Sequence, residues 1–403
     1  MSSRQSALTK WGALLLGIFL VTGCGPSIQR LGVPSDTGST PKNFKEKVEE
    51  MRTLGRTWLF SNQLETGQFL YDFNVSRNYS RPELDNAIRQ IMASRQLAIR
   101  ASENPAQAAD HQRNLDFIFR EWYREAGTLG YIERLNKSKL GANGLMLRVF
   151  AESPFFEQYR EPGDKIAAGV VAIQHEDGSF EPWFIEPSYA YDREHLLHFY
   201  SGEALLGLVE YYKKTEEQRW LDAAIRGHDF YLTEYVENIN QNYHPAYVPW
   251  HVMSLNNLYK LTQDQRYADA VYILTDKVLE LLDRQVFVGR FYDPATPEYG
   301  TPHSSSDGVY TEGLAYAYEI AILNGDEIRQ QRYRKALELA IFNLASLQYR
   351  YPVFDEGQVE PSKYIGGIRI RHDSSWIRID TIGHALDAFD KILEILETYE
   401  VEQ

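Results

Sequence analysis

The sequence is nearly free of cysteine: Cys24 is the only one in 403 residues. A single thiol excludes a disulfide within the chain, and it excludes a cysteine pair for a metal or a redox reaction. Phosphate-loop and Gly-x-Ser-x-Gly motifs are also missing, and no His-x-x-x-His spacing falls on a predicted helix. We therefore expect no disulfide, no metal and no cofactor, so stability must come from packing.

Positive charge is scarce as well. The chain has 42 Lys and Arg against 56 Asp and Glu, which gives a net charge of −14. Nucleic-acid binding depends on cationic contacts to phosphate, so we expect no nucleic-acid partner. Aromatic residues, by contrast, make up 13% of the chain, with 27 Tyr and 7 Trp. Tyrosine-rich clefts suit sugars, although large helical cores also use aromatic side chains.

One apolar run stands out, from Trp11 to Val21, and it follows the cationic residues Arg4 and Lys10. It is too short for a comfortable membrane span and is typical of a cleavable export signal. Its ending, Val-Thr-Gly-Cys, resembles the lipobox of bacterial lipoproteins. The resemblance implies a signal peptide over residues 1–23 and acylation of Cys24. The alternative is an ordinary secretory signal with a chance cysteine.

The segment after the lipobox-like motif predicts where the protein is held. Residues 24–42 are rich in Gly, Pro, Ser and Thr, which predicts a flexible tether. Gly25 stands where an aspartate would indicate retention in the inner membrane. We therefore expect an outer-membrane lipoprotein that faces the periplasm, attached through the lipid on Cys24.

The middle of the chain repeats itself. Residues 212–223 and 259–270 share seven identities at a fixed offset of 47, and a looser third copy lies near Arg332. Apolar residues before and after each shared segment fall on one helical face. Each copy therefore predicts two antiparallel helices joined by a short polar turn, and self-similarity of this length indicates a repeat architecture.

Other segments extend this pattern to six helical hairpins over residues 43–403. The pairs are 84–100 with 108–126, 141–152 with 160–174, the hairpins 199–234 and 247–284, 308–324 with 328–348, and 376–398 with 43–61. No hairpin can bury its apolar face alone, so stacking or ring closure is required. Closure is favoured because the two ends of this region each supply half a hairpin.

Three motifs carry a family resemblance: YSGEALL at 200–206, TEGLA at 311–315 and IRID at 377–380. With the six hairpins, they resemble the six-hairpin glycosidase-like superfamily. This implies an all-α fold, an alpha/alpha toroid, shared by glycoside hydrolases, uronate lyases and sugar epimerases. Tetratricopeptide-like solenoids are the main alternative, but their repeats are shorter and more regular.

In such a ring the residues that enter the inner helices line one mouth. We expect catalytic roles for Glu203, His251, Asp307 and Glu312, and substrate-binding roles for Tyr71, Asp72, Tyr200, Tyr247, Trp250, Tyr310, Arg378 and Asp380. Two carboxyl groups facing a sugar permit glycoside hydrolysis. A His or Tyr base opposite an Arg permits proton abstraction from a uronate, and His303, His384 and Arg371 extend that choice.

Each candidate also has a structural interpretation. A carboxylate at Glu203 is favoured by the helix dipole, Asp307 precedes Gly308 in a turn-like pair, and His251 is equally explained as a core histidine.

We therefore expect a monomeric, exported lipoprotein that acts on a poly- or oligosaccharide as a glycoside hydrolase, a uronate lyase or a C5-epimerase. The alternatives are a non-catalytic carbohydrate-binding or polysaccharide-assembly lipoprotein, and a helical-repeat scaffold for another protein.

Overall fold

A computed structural model describes residues 43–353 and 358–399. The predicted signal peptide, the tether and Cys24 lie outside the described residues. The described chain is built mainly from helices, which are α1 Phe44–Ser61, α2 Ala87–Glu103, α3 Ala108–Glu121, α4 Leu140–Glu152, α5 Arg160–Ala172, α6 Arg193–Thr215, α7 Gln218–Leu232, α8 Ile239–Asn242, α9 Val248–Thr262, α10 Gln265–Val278, α11 Ser304–Leu323, α12 Glu327–Leu347 and α13 Ile379–Thr398.

Six of these helices form a closed inner ring. Each of α2, α4, α6, α9, α11 and α13 packs against the next, and α13 packs back on α2. The other long helices form an outer layer, with α3, α5, α7, α10 and α12 each packed on the inner helix before it. Helix α1 packs on α13, so the two ends of the domain complete the sixth hairpin. This confirms the alpha/alpha toroid.

The links from an inner to an outer helix are short. Their geometry explains why the residues around them recur in the two copies of the repeat. Glu216 and Gln263 occupy equivalent positions after α6 and α9, and both adopt the left-handed conformation, with φ of 57° and 59°. A residue in this conformation ends a helix and turns the chain back sharply. The repeated Lys-x-Thr segments are therefore the last turn and cap of an inner helix.

The links from an outer to the next inner helix are long and carry six short strands. These are β1 Asp72–Asn74, β2 Tyr123–Ala126, β3 Leu129–Ile132, β4 Ser138–Lys139, β5 Trp183–Ile185 and β6 Trp376–Arg378. They pair antiparallel as β1–β6, β2–β3 and β4–β5. Two of these pairs join loops that are distant in sequence, so they fix neighbouring loops at the same end of the ring.

The interior is an extensive apolar core between the two helical layers, with large side chains such as Trp58, Trp220 and Phe389 fully buried. Burial of such surface is the main stabilising term, at about 25 cal/mol per Å². Within residues 43–353 and 358–399, no helix combines the length and apolar character required to cross a bilayer.

Candidate functional site

All six inner helices begin at one end of the ring, which we call the mouth; the other end is called the opposite end. The long β-bearing loops precede these helix starts, so they surround the mouth. Helix N-termini carry partial positive charge and unpaired N–H groups, which favour acidic side chains and polar ligands there. The mouth is therefore where the fold gathers the chemistry-bearing residues.

Asp380, in the first turn of α13, is the centre of a polar network at the mouth. Its carboxylate accepts hydrogen bonds from Arg378 Nε at 2.6 Å, from Arg89 Nε at 2.9 Å and from Ser305 Oγ at 3.1 Å. Burial would raise the pKa of Asp380, but the Arg378 hydrogen bonds and the Arg89 charge hold it well below its usual range. Asp380 is therefore ionised and rigidly placed.

The same network extends to two aromatic groups. Arg89 donates from Nη1 to the Tyr71 hydroxyl, and Arg378 Nη2 lies 3.1 Å from His303 Nε2. Burial lowers the pKa of His303 to about 4, so this imidazole is neutral at pH 7. The network thus presents a tyrosine and a neutral histidine, each beside an arginine.

Asp72 has a different role. It is fully buried and accepts two hydrogen bonds from the Arg81 guanidinium and one from the Arg81 backbone N–H. It also lies opposite Arg378 in the β1–β6 pair. These contacts make Asp72 a support for the loop rather than a free group, although the predicted substrate-binding role of this residue stays a prediction.

Glu203, on α6, is a buried carboxyl group without a matched partner. Its residue is only 3% exposed, and Oε2 has no hydrogen-bond partner among the described residues. Burial raises the pKa of Glu203 to about 8, against the opposing charges of Lys139 and Arg148. This side chain is therefore protonated at pH 7. A raised pKa of this kind, in a group aimed into the ring, is typical of a general acid.

Space for that side chain comes from the facing helix. A Cβ atom at Gly141 in α4 would lie 1.8 Å from Glu203 Oε2. Burial lowers the pKa of Lys139, just before α4, to about 8, and ionisation of the nearby Glu203 would act against that decrease. Glycine at position 141 is therefore required for the Glu203 carboxyl to occupy its position.

Glu312, on α11, lies on the other side of Arg148. Arg148 Nη2 is 3.5 Å from Glu312 Oε1, and His384 Nδ1 is 3.9 Å from Glu312 Oε2. His384 also packs against the Trp250 ring, with a centroid distance of 5.6 Å. Arg148 acts electrostatically on both Glu203 and Glu312, so the ring brings two carboxyl groups together around one guanidinium.

A hollow lies beneath the mouth on the inner face of α13. Gly383 is buried, yet a Cβ atom there would meet nothing within 4 Å. Gly383 is one turn below Asp380, and its neighbour His384 approaches Glu312. The open space therefore lies on the helix that carries both Asp380 and His384.

Not every predicted residue belongs to this site. His251 is buried, lies 3.1 Å from Ser201 Oγ and packs against His228 and Tyr231 of α7. Its ring therefore points between the helical layers and not toward Glu312. These contacts are those of a core histidine, and the catalytic role predicted for His251 stays a prediction.

Asp307 is also held by groups outside the inner ring. Its carboxylate accepts hydrogen bonds from the Phe291 N–H and from Asn343 of the outer helix α12, each at 2.8 Å. Burial raises the pKa of Asp307 to about 6 despite these bonds. Tyr247 stacks on Tyr235 at 3.9 Å, and Tyr310 packs on Phe291. These three side chains are directed away from the carboxyl pair.

Tyr200 and Trp250, in contrast, lie on the inner helices beside the acid groups. Tyr200 packs edge-on against Trp183, and burial together with the nearby Glu203 carboxyl group raises the pKa of its hydroxyl. Arg89, Lys139 and Arg148 were not predicted. Arg148 had a recognisable signal in the sequence, because it is the only charged residue of the apolar helix LGANGLMLRVFAE before Glu152 at its end.

Metal-ligand geometry occurs elsewhere at the mouth. Among the described residues, one group of three ligand-type side chains is close enough to hold an ion: His195, His198 and His244, whose ligand atoms lie within 4.8 Å of one another. We call this group the rim histidine cluster. No metal was expected from the sequence, because it lacks a cysteine pair and a His-x-x-x-His spacing on a predicted helix. His195 and His198 are three residues apart, and His244 comes from a later loop.

Comparison with known proteins supports this description. The family model for the beta-L-arabinofuranosidase GH127 catalytic domain matches residues 154–324, a segment that contains Glu203 and Glu312. No curated protein sequence matches the chain.

Solved structures match over nearly the whole ring. A heparin-specific unsaturated glucuronyl hydrolase is 13% identical, with a TM-score of 0.59 over 88% of this chain and 98% of the other. The GH76 alpha-mannanase BT2949 of Bacteroides thetaiotaomicron is 11% identical, with a TM-score of 0.58 over 89% and 98%. Cellobiose 2-epimerase of Bacillus thermoamylovorans is 12% identical, with a TM-score of 0.60 over 86% and 98%.

The chain has the six-hairpin glycosidase-like fold, as its sequence motifs predicted. The matched catalytic-domain segment and the structural neighbours also support the predicted class, an enzyme with glycoside hydrolase-like or epimerase-like activity. Identities this low establish the fold, so the substrate and the reaction have to be argued from the residues of the site.

Proposed function

We propose that this protein is a glycoside hydrolase that acts on a poly- or oligosaccharide, with Glu203 as its general acid. The observation that carries the proposal is the buried Glu203 carboxyl group, whose Oε2 has no hydrogen-bond partner among the described residues and whose pKa burial raises to about 8. Glycoside hydrolysis requires one carboxyl group that donates a proton to the leaving oxygen, and one that serves as base or nucleophile. Glu312, across Arg148, is the second group.

The mouth provides the features that hold a sugar. Trp250 and Tyr200 offer aromatic faces on two neighbouring inner helices, and such faces pack against the C–H face of a sugar ring. Asp380 is ionised and fixed by two arginines, so its oxygens and the Arg378 N–H groups can bind hydroxyl groups in a defined orientation. A rigid polar frame lowers the entropy cost of orienting the substrate.

A specific observation favours a second reaction, the lyase or epimerase type. Tyr71 is hydrogen-bonded to Arg89, and His303 lies beside Arg378. A neutral histidine or a tyrosine can remove the proton next to a uronate carboxylate, while the adjacent guanidinium binds that carboxylate. In this reaction the Asp380 network, and not the Glu203–Glu312 pair, carries the chemistry.

We also propose that the enzyme is an outer-membrane lipoprotein facing the periplasm, attached through acylated Cys24. The support is the lipobox-like ending of the N-terminal apolar run. Mass spectrometry of the N-terminal peptide after expression in a bacterial host tests it, because the mature chain would begin with lipid-modified Cys24. An unmodified chain cleaved elsewhere would contradict the anchor and leave the enzyme proposal unaffected.

The central experiment incubates the protein with neutral and uronate polysaccharides and measures three products: new reducing ends, unsaturated ends and solvent deuterium in the sugar. Reducing ends that disappear in Glu203→Gln support the hydrolase. Unsaturated ends or deuterium, lost in Tyr71→Phe or His303→Asn, support the second reaction. Sugar binding without any product would support the non-catalytic alternative.

Asp307→Asn is the matched control for Glu203→Gln. Asp307 is also a buried carboxyl with a raised pKa, but it is bound to the outer layer. If the loss of any buried carboxyl reduced activity equally, the proposal for Glu203 would fail.

A further inference from the structure

The rim histidine cluster is separate from the Asp380 network and from the carboxyl pair. His195 and His198 lie in the first turns of α6, and His244 lies just before α9. Their rings are close together, with centroids 4.3 Å apart for His198 and His244 and 6.0 Å apart for His195 and His244. The cluster therefore connects the entries of two neighbouring inner helices.

The distances are close to those of a metal site. Ligand atoms no more than 4.8 Å apart lie within about 2.8 Å of a common centre. Zinc binds imidazole nitrogen at about 2.0–2.1 Å, so each nitrogen needs to move by roughly 0.7 Å. The His198 and His244 rings are stacked, with 15° between their planes, so one of them must also turn to point a nitrogen at the ion. Side-chain rotation of exposed His195 and half-buried His244 can supply such a movement without a change in the helices.

The nitrogen atoms are available for binding. Nδ1 of buried His198 has no hydrogen-bond partner among the described residues, which is costly for a buried polar atom. An imidazole nitrogen without a hydrogen-bond partner can bind a metal ion through its lone pair.

The surroundings favour a cation. His198 lines a cavity of about 590 Å³ together with the carboxylate residues Asp192, Glu194 and Glu234. Arg193 lines the same cavity, but its guanidinium is paired with Glu181. The local charge is therefore negative, and the cavity leaves room for water or another ligand at a fourth position.

We propose that His195, His198 and His244 bind one Zn²⁺ ion through three imidazole nitrogens, with the fourth position open to the cavity. Three histidines with an open position suit zinc among the divalent ions. The bound ion would join the start of α6 to the loop before α9 and so brace one side of the mouth. This proposal is independent of the carbohydrate reaction.

Binding carries one local cost. His244 Nδ1 accepts a hydrogen bond from the Ala246 N–H at 3.2 Å. A neutral ring that accepts at Nδ1 carries its proton at Nε2, so zinc must either replace the Ala246 contact or displace that proton. We therefore expect affinity below that of a preformed three-histidine site.

The test measures zinc bound to the full chain, purified without a polyhistidine tag, by equilibrium dialysis and metal analysis. We expect one Zn²⁺ per chain, a higher Tm with zinc, and strong visible absorption of the Co²⁺ form, as tetrahedral coordination gives. Each of His195→Asn, His198→Asn and His244→Asn should weaken zinc binding about tenfold or more.

His372→Asn is the control, since His372 contacts Ser346 and Phe287 outside the cluster. Its zinc binding should equal that of the unaltered chain. His195 is exposed, so His195→Asn can be compared as a folded protein even if the buried variants fail to fold. Substoichiometric zinc, or unchanged binding by His195→Asn, would overturn the proposal. A weak, octahedral Co²⁺ spectrum would overturn it too.

Discussion

Buried carboxyl groups have different partners at the two ends of the ring. At the opposite end, the Glu319 carboxylate forms ion pairs with Lys260 Nζ at 2.8 Å and with Lys391 Nζ at 2.9 Å, so its negative charge is neutralised. Just below the mouth, Glu203 is also buried, but its Oε2 has no hydrogen-bond partner within the part of the chain that the structure describes. Paired charge holds helices together, whereas an unpaired carboxyl is available to transfer a proton.

Between the two ends of the ring, a layer of ion pairs connects the inner helices. Arg95 binds Asp387 and Glu152, each at 2.8 Å, and Arg148 binds Glu210 at 3.0 Å. A cavity of about 270 Å³ lies below this layer, lined mainly by lysines and glutamates near the inner-helix C-termini. Lysines there complement the helix dipoles, so we assign this cavity a structural role.

The sharpest way to test this contrast is Glu203→Gln. We expect the rate to fall about 10²- to 10⁴-fold, which is the usual contribution of a general acid. Stability should not decrease, because the glutamine is the neutral isostere of the protonated acid. Measurement of kcat and Tm separates the two effects. A variant that unfolds easily but keeps its specific activity would contradict the contrast.

At the opposite end, Glu319→Gln should produce the reverse result. It leaves Lys391, whose side chain is only 5% exposed, without its buried partner. Breaking a buried pair by removing one member costs about 3–5 kcal/mol of unfolding free energy. Denaturant unfolding measures this, while the rate per folded molecule should stay unchanged.

Glu394→Gln provides the control for that variant. Glu394 also pairs with Lys391 but is 57% exposed, so its loss should cost less than about 1 kcal/mol. Equal destabilisation by both variants would mean that burial does not distinguish the two pairs.

The pH dependence extends the comparison. Burial raises the pKa of Glu203 from 4.5 to about 8, so its proton is retained in the folded state and lost in the unfolded state between these values. The stability contribution of Glu203 is therefore full below pH 4.5 and decreases as pH rises to about 8. Activity that needs the protonated acid should fall tenfold per pH unit above about 8.

Glu319 should respond in the other direction. Burial acts to raise its pKa, but the charge of Lys391 and the Lys260 hydrogen bond lower it to about 2. Its contribution is present above pH 4.5 and is lost as pH falls toward 2. Measurement of Tm against pH for Glu203→Gln and Glu319→Gln tests both predicted pH dependences. If the Tm of Glu203→Gln fell with rising pH as steeply as that of the unaltered chain, the prediction for Glu203 would be wrong.

Most of the fold could be predicted because each helical hairpin has a recognisable pattern within a short stretch of sequence. Apolar spacing marks each helix, and the left-handed cap at Glu216 and Gln263 repeats with its surrounding residues. Ring closure followed from the half-hairpins at the two ends. The β-strands could not be found in the same way, since they are two to four residues long and, in the β1–β6 and β4–β5 pairs, depend on partners far along the chain.

The sequence predicts how far along each inner helix a site residue lies, but not the side of the helix to which its side chain points. Helix starts place residues near the mouth, yet each step along a helix turns the side chain by about 100°. Glu203 therefore faces α4, while Ser201, two residues earlier, contacts His251 of α9. Without the rotation of each helix, His251 and Asp307 could not be distinguished from Glu203 and Glu312.

The smallest effect is expected at Gly383, which tests whether the hollow is real. Gly383→Ala adds a methyl group into open space and removes a helix glycine, so it should stabilise the fold by up to about 1 kcal/mol with little change in activity. Gly383→Leu should keep the fold but lower kcat/KM, because its side chain occupies the space beside Asp380. If Gly383→Leu has unaltered kcat/KM, the substrate does not enter this hollow, and Glu203 would have to act from another side of the ring.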